Sequence, residues 1–455
     1  MPGEIYINLG IDFGTRFTKV CARSEGVGAT IVDYFDDGLD GALVPSVVSV
    51  DDNGHLSVPD AGSPSNPENF VAYLKMALAD RGQLGLNVRP ELLGEHSEEL
   101  AEPLSAFFLA TVMARAKQWV RSAWSEHIGD REVVWSANVG LPVEYVDSDV
   151  APKFQEVIAV AWEWAERGAP TGQIRDVLEG YARTAAREHP QKSYCQTYPE
   201  IAAAVLSFAA RRNAKPGVYV YFDIGGGTVD GVVFNLLRPA GEVRINFYSG
   251  HVESLGADWI SEDVCRRLRE DDGNEHDPES VKRVLLNEAS EEVDAAFATY
   301  SKEISKLVGR VVYEGQRTDG RDWRKVQFQA GLVHRTLRRH WNDDKLTPLR
   351  MFVGGGGNRS PFYQRSLSSA YERNTLRSYG IPPFDLVEVP APPDLQMQSV
   401  DPNEYHRFLI AYGLSVPFGE GPDIGLPSQF EISRPPTPKR TFGLPDYADH
   451  KDIYD

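Results

Sequence analysis

Residues Val218–Leu236 read VYVYFDIGGGTVDGVVFNL. An apolar run stops at Asp223, three glycines follow, and Thr228 leads through Asp230 into a second apolar run. β-Branched and aromatic residues on both sides of a glycine turn specify two antiparallel strands. The turn itself admits two readings. Gly and Asp mark tight hairpins that do nothing else. Equally, consecutive glycines let backbone N–H groups approach phosphate oxygens with no Cβ in the way, and a carboxylate at a strand end suits a hydrated magnesium ion.

A second stretch has the same plan. Ile7–Arg23, INLGIDFGTRFTKVCAR, is an aliphatic strand ending at Asp12, a turn with Gly14, Thr15 and Arg16, and a returning strand. Two copies of one supersecondary unit suggest two related halves. Asp12 and Asp223 then become a matched pair of strand-end carboxylates, with Thr15 and Thr228 as hydroxyl donors beside them. No GxxxxGK[ST] occurs, and the residues after the glycines read as strand, so neither turn is a Walker A loop. A third glycine run, Gly354–Gly357 in MFVGGGGNRSPFYQ, lies between a strand and a helix, where a phosphate or sugar can approach.

The bulk numbers narrow the field. A chain of 455 residues is too long for one small core, so two or more domains are expected. Lys and Arg number 47 against 66 Asp and Glu, a net charge of −19. That balance disfavours broad nucleic-acid or anionic-membrane binding. Three widely spaced cysteines, with no CxxC or Cys/His cluster, argue against a zinc site or a disulfide framework. No basic-then-apolar leader and no membrane-length apolar run is present, so a cytoplasmic location is expected.

Along the chain, helical spacing is expected over Asn69–Asp80, with Phe70, Leu74 and Leu78 on one face, and over Leu104–Trp124, Lys153–Arg167, Ile174–Arg187, Pro199–Arg212, Asp258–Glu270 and Asn403–Val416. REVVWSANVGLPV reads as a buried strand. Pro382–Pro393 reads as a loop. Trp162 and Trp164 read as core packing with one exposed edge. Beyond Pro417 the chain is rich in proline and charge, and from Arg434 it reads as a solvated tail or a docking peptide.

Taken together the motifs resemble the actin-like ATPase superfamily, and within it the nucleotide-binding domain of the 70-kDa heat-shock proteins. GIDFGTRFTKV is similar to that family's first phosphate motif and FDIGGGTVDGVVF to its second. YPEIAAAVLSFA resembles the first connecting helix, VGGGGNRSPFYQ the adenosine motif with one extra residue, and DPNEYHRFLIAYGLSV the second connecting helix. All five stand in family order. The resemblance implies an α/β fold of two lobes, each a duplicated mixed sheet flanked by helices, with nucleotide in the central cleft. It implies a first lobe over 1–198, a second over 199–416 whose last helix returns to the first, and a tail over 417–455.

The resemblance also implies roles. Asp12 and Asp223 would position Mg²⁺ through water, Glu200 would orient or deprotonate the attacking water, and Thr228 would sit near the γ-phosphate. Lys75, in AYLKMALADR, resembles the family's catalytic lysine, which would offset charge developing on the transferred phosphoryl group. The alternative for Lys75 is a solvated helix lysine, and for Glu200 an acid favoured at a helix N-terminus. Gly14, Thr15, Arg16, Gly225, Gly226 and Gly227 would line the phosphates. Gly354, Gly355 and Gly356 would approach the α-phosphate or ribose. Arg359 would stack on adenine, or stand as a surface arginine at a helix start. SLGADWISEDV resembles the family's glycine-acid segment.

There are departures. Arg16 stands where the family has a small hydroxyl residue, Pro199 and Glu200 are in reversed order, and about 30 additional residues precede Glu200, a length loops tolerate. Nothing like a β-sandwich substrate-binding domain follows the second connecting helix. The implied function is an ATP-binding, slowly hydrolysing conformational switch acting through a protein partner, with ATP/ADP and Mg²⁺ as cofactors. A filament-forming actin-like protein or a small-molecule kinase of the same superfamily are the alternatives. The oligomeric state is left open.

Overall fold

The computed structural model describes residues 3–64, 68–80, 82, 84–93, 99–170, 172–187, 194–209, 214–319, 323 and 348–430. The chain divides into two compact units: residues up to Ser207 together with Pro390–Gly421, and Phe208–Val389 together with the residues from Pro422. The sequence reading starts a second lobe at residue 199. In the division into compact units Glu200–Ser207 lies in the first unit, as does the helix Leu409–Leu414, the last helix that the sequence reading returns to the first lobe. The cause is close packing. A Cβ on Gly413 would stand 1.9 Å from the carbonyl oxygen of Ala203, so only glycine lets these two helices cross backbone to backbone. Asn8 and Asn138 fasten the same helix end by donating to the carbonyl of Leu414 at 3.1 and 2.9 Å.

The first unit is built on a sheet ordered Cys195–Pro199, Glu132–Leu141, Glu4–Phe13, Phe17–Ser24, Gly28–Ile31 and Leu395–Gln396, with Val44–Pro45 pairing off this path. The second unit's sheet is ordered Phe384–Val387, Leu349–Gly354, Gly217–Ile224, Val229–Leu237, Arg244–Glu253 and Asp423–Gly425. In each, three strands in sequence form an antiparallel meander. The first of these pairs on its other side with a parallel strand, that one with another, and a short late strand adds in parallel to the third. The likeness of the two hairpins therefore extends to six strands with the same order and the same sense at every pairing.

Apolar residues fill both sheet faces. Gly217–Ile224 is buried at six of its eight positions, the continuous pattern of a strand covered on both sides. Phe208, Tyr219, Phe352 and Phe234 pack ring on ring behind it, with centroids 4.7–5.6 Å apart. In the first unit Phe13 stacks on Phe108 of the helix Ala101–Ala123 at 5.7 Å. The helix Val150–Arg167 turns Phe154, Val157, Ile158 and Ala161 inward at helical spacing. Trp162 and Trp164 are both buried, without the exposed edge expected. A four-stranded sheet, Leu56–Ser57, Val48–Val50, Phe70–Ala72 and Gly85–Asn87, completes the unit.

Four expectations are corrected. Phe70–Ala72 is strand, pairing Val71 with Val48, and only Leu74–Leu78 is helix. Tyr73 takes a left-handed φ of 58° between them and breaks the period that made 69–80 look continuous. Phe384–Val387, expected as loop, pairs in parallel with Leu349–Phe352 despite the prolines around it. Asn403–Val416 is not one helix: a 3₁₀ segment Pro402–Arg407 precedes Leu409–Leu414. Asp423–Gly425, inside the stretch read as a tail, is a strand on the edge of the second sheet. The segment from Arg434, read as a solvated tail or docking peptide, lies outside the described residues.

Candidate functional site

In both units the motif residues stand at the carboxyl ends of adjacent strands, where open α/β sheets bind ligands. In the first unit Ile11 pairs with Val139 and Tyr198 with Gly140. Asp12, Gly140 and Glu200 therefore come to one edge of three neighbouring strands. In the second unit Asp223 pairs directly with Gly354, so the two glycine runs lie side by side.

Glu200 opens the helix Glu200–Ala209 and is 3% exposed. Its Oε1 accepts from Lys75 Nζ at 2.5 Å, and both side chains are largely shielded from water. The sequence gives no spacing that joins residues 75 and 200, yet they form one ion pair. Gly140, unnoticed in the sequence, makes the pocket. A Cβ there would stand 2.5 Å from Glu200 Cγ and 2.8 Å from its Oε1.

Asp12 is 3% exposed and faces Lys19 across the hairpin. Lys19 Nζ donates to Asp12 Oδ2 at 2.5 Å. Gly14 N–H donates to the Asp12 carbonyl at 3.0 Å, and a Cβ on Gly14 would meet the Phe17 carbonyl oxygen at 2.4 Å, so the tight turn demands glycine. Thr15 and Arg16 follow in the turn, half-buried, and the Arg16 carbonyl accepts from Ser46 N–H at 2.9 Å. Lys19 carries no motif signal. Only the hairpin register places it opposite Asp12.

The second turn has a specific construction. Gly225 N–H donates to the Thr228 carbonyl at 2.9 Å and closes the loop. The carbonyls of Gly225, Gly226 and Gly227 then accept from Ala257, Asp258 and Gly256 at 3.1, 2.8 and 3.1 Å. They thereby cap the helix Ala257–Asp272. Each trans peptide sets its N–H opposite its C=O. The N–H groups of Gly226, Gly227 and Thr228 accordingly point away from that helix, as a row of three donors. Gly256 makes the arrangement possible: a Cβ on it would stand 2.3 Å from the Gly226 carbonyl oxygen.

Beside this row, Gly355 sits at φ 80°, and Gly357 N–H donates to the Ile224 carbonyl at 3.1 Å, tying the two glycine runs together. Gly354 and Gly355 are buried and Gly356 is half-buried. Arg359 is exposed, just ahead of Ser360, whose hydroxyl caps the helix Pro361–Arg373. Asp223 is half-buried, and the Tyr221 hydroxyl donates to its Oδ1 at 3.4 Å. Across the hairpin from it stands Asp230, 6% exposed, a residue the motif reading passed over. Asp258, 4% exposed, is bonded by Lys282 at 2.7 Å.

These residues differ in how they suit a magnesium-bound polyphosphate. The row of N–H groups and the glycine-lined turn suit phosphate oxygens. Asp223 opposite Asp230 suits a hydrated cation, because like charges placed directly across a hairpin repel. Asp12 suits one less well, since an ammonium already holds its Oδ2. Among the described residues no group of three or more His, Cys, Asp and Glu side chains is placed to hold a metal by itself, and no helix is long and apolar enough to cross a membrane.

No family model matches the chain. Among curated proteins it is similar to the chaperone protein HscA of Pectobacterium carotovorum, 26% identical over 402 residues, which is 83% of this chain and 56% of that protein. The HscA homolog of Chromobacterium violaceum is 24% identical over 82% of this chain and 56% of its own length. HscA of Yersinia enterocolitica is 30% identical over 189 residues. The chain thus spans little more than half the length of the first two relatives. Over most of its length, at 24–26% identity, the chain is similar to these Hsp70-family chaperones, which supports an Hsp70-like nucleotide-binding domain.

Proposed function

We propose that this chain binds ATP with Mg²⁺ and hydrolyses it slowly, as a chaperone-type conformational switch read by a protein partner. The observation that carries the reading is that the carbonyls of Gly225, Gly226 and Gly227 cap a helix, which by peptide planarity turns the N–H groups of Gly226, Gly227 and Thr228 the other way. Such a preset row of donors recognises phosphate without reorganising. We take the two units as the lobes of an actin-like ATPase fold, a reading that the repeated six-strand topology and the Hsp70 likeness support.

Bound magnesium nucleotide supplies the scissile phosphoanhydride and the cation that offsets its charge. The chain's own residues do the rest. The second turn binds phosphate through backbone N–H groups, with Thr228 beside them and Asp223 facing the hydrated metal. Gly354, Gly355 and Gly356 let the α-phosphate or ribose approach the backbone, and Arg359 offers its guanidinium to the base. In the first unit Asp12, Gly14, Thr15 and Arg16 form the matching turn, of a kind that also suits phosphate oxygens. Glu200 orients a water and accepts its proton, and Lys75 holds the Glu200 carboxylate and presents positive charge.

The Lys75–Glu200 bond supports slow turnover. A carboxylate whose oxygen is already engaged at 2.5 Å is a weak base until that bond loosens. A partner that shifts Lys75 would raise the rate. The test is calorimetric titration of the full chain with magnesium ATP, followed by phosphate release. Micromolar or tighter binding and turnover well below one per second are expected, with binding lost in Asp223→Ala. Undiminished affinity in that variant would remove the basis of the assignment.

A further inference from the structure

The second unit's two glycine runs are both tied to the helix Pro278–Asn287. Asp277 caps that helix, its carboxylate accepting from the N–H groups of Glu279 and Ser280 at 3.2 and 3.1 Å. Lys282 Nζ lies 2.7 Å from Asp258 Oδ1, with side chains 19% and 5% exposed. Glu279, half-exposed, stands 3.6 Å from the same ammonium. One turn further on, the buried Leu285 presents its carbonyl to the Ser360 hydroxyl, which donates to it at 2.7 Å. Each of these partners holds a glycine run by its own backbone. Asp258 N–H donates to the Gly226 carbonyl at 2.8 Å, and Ser360 N–H to the Gly357 carbonyl at 3.0 Å. The Tyr363 hydroxyl adds a bond to the Leu255 carbonyl at 2.8 Å, one residue before Gly256.

We infer that Lys282 is a positioning residue for the phosphate-binding turn: through the Asp258 carboxylate it fixes the start of the helix Ala257–Asp272, and so the carbonyls that set the N–H groups of Gly226, Gly227 and Thr228. This rests on the nucleotide-binding reading above. Three successive glycines leave the loop's backbone free to take many conformations, so its order comes from what it is bonded to. Those bonds run between neutral backbone groups and are individually modest. The Lys282–Asp258 pair is charged, largely shielded from water and at the length of a strong charge-assisted bond. Asp258 joins the two kinds of bond in one residue, since its N–H holds Gly226 while its side chain is held by Lys282. Ser360 does the same for the Gly354–Gly357 run without a charge, so the phosphate turn depends on the ion pair and its neighbour does not.

The experiment is calorimetric titration of magnesium ATP into the full chain, with thermal unfolding of the same samples. Lys282→Met weakens ATP binding about tenfold, and Lys282→Arg stays within about threefold of wild type. Asp258→Asn combined with Lys282→Met removes both charges of the pair, and it decides the matter if the single variant does not fold, as judged by circular dichroism. The double variant loses the tie as well, so its affinity also falls about tenfold. A lowered Tm with wild-type affinity in Lys282→Met shows that the pair only packs two helices together and overturns the inference alone. Wild-type affinity in the double variant does the same, because it assigns the loss in Lys282→Met to a bare charge rather than to position. Wild-type protein that binds no magnesium ATP overturns the nucleotide reading and the inference with it.

Discussion

Gly140→Ala tests whether the Glu200 pocket is set as tightly as its geometry indicates. Gly140 has no positive φ, so alanine meets no backbone strain there and the effect is steric. The new Cβ would stand 2.5 Å from Glu200 Cγ. Carbon atoms settle at about 3.5–4.0 Å, so the Glu200 side chain must retreat by roughly 1 Å. Its bond to Lys75, now 2.5 Å, then stretches to about the limit of a useful hydrogen bond. Overpacking of this kind costs about 1–3 kcal/mol, and the stiffer unfolded chain returns about 0.5–1 kcal/mol. The net loss is about 1–2 kcal/mol, which lowers Tm by on the order of 2–8 °C for a unit of this size. If Glu200 orients the attacking water, a displacement of about 1 Å slows hydrolysis on the order of 100-fold. ATP affinity, set by the phosphate-binding turns, stays within about threefold. The assays are thermal unfolding, calorimetric ATP binding and single-turnover phosphate release. A variant that melts and hydrolyses ATP like wild type would refute the reasoning, because it would mean Glu200 has room that the packing denies.

Two further predictions address other parts of the molecule. In Gly256→Ala the added Cβ meets backbone atoms of Gly226 and Gly227 at 2.3–2.6 Å, which cannot step aside, so the turn must leave the helix end and ATP affinity drops by about tenfold or more in calorimetry; wild-type affinity would show that the donor row does not hold the phosphate. Lys117 is buried over the Trp162 ring at 3.6 Å and bonded to Glu166, and burial lowers its pKa from 10.5 while Glu166 resists the shift. Between the lowered value and 10.5 the unfolded chain holds more protons than the folded one, so stability gained from this group rises with pH. Urea unfolding across alkaline pH should show wild type gaining on Lys117→Met, and parallel curves would contradict the burial.

The hairpins were legible because glycine turns flanked by β-branched residues leave the backbone little choice. Their pairing with parallel neighbours was not, since Asp223 meets Gly354 only after more than a hundred intervening residues have folded. Lys75 and Glu200 were each recognisable from their motifs, while their bond was invisible, because no local period connects a short helix after a left-handed tyrosine to a helix far along the chain. Lys19 and Asp230 escaped for a different reason. Each is an ordinary strand residue, and its meaning comes from the residue opposite, which the four-residue turns fix. The strand Phe384–Val387 was hidden by its prolines, which sit outside the four residues that pair.

The net charge of −19 sets a physical difficulty for any reading in which the chain holds a polyphosphate. At an effective dielectric of about 20, a carboxylate roughly 5 Å from a phosphate oxygen repels it by about 3 kcal/mol. Two such groups would offset most of a micromolar affinity. The structure removes them pairwise. Asp12 is bonded by Lys19 of its own hairpin, Glu200 by Lys75 and Asp258 by Lys282, each a buried acid of a motif segment held by a lysine. Asp223 and Asp230 stand opposite one another beside the second glycine turn. The acidity of the chain as a whole is thus compatible with nucleotide binding, because charge is balanced locally at three motif acids.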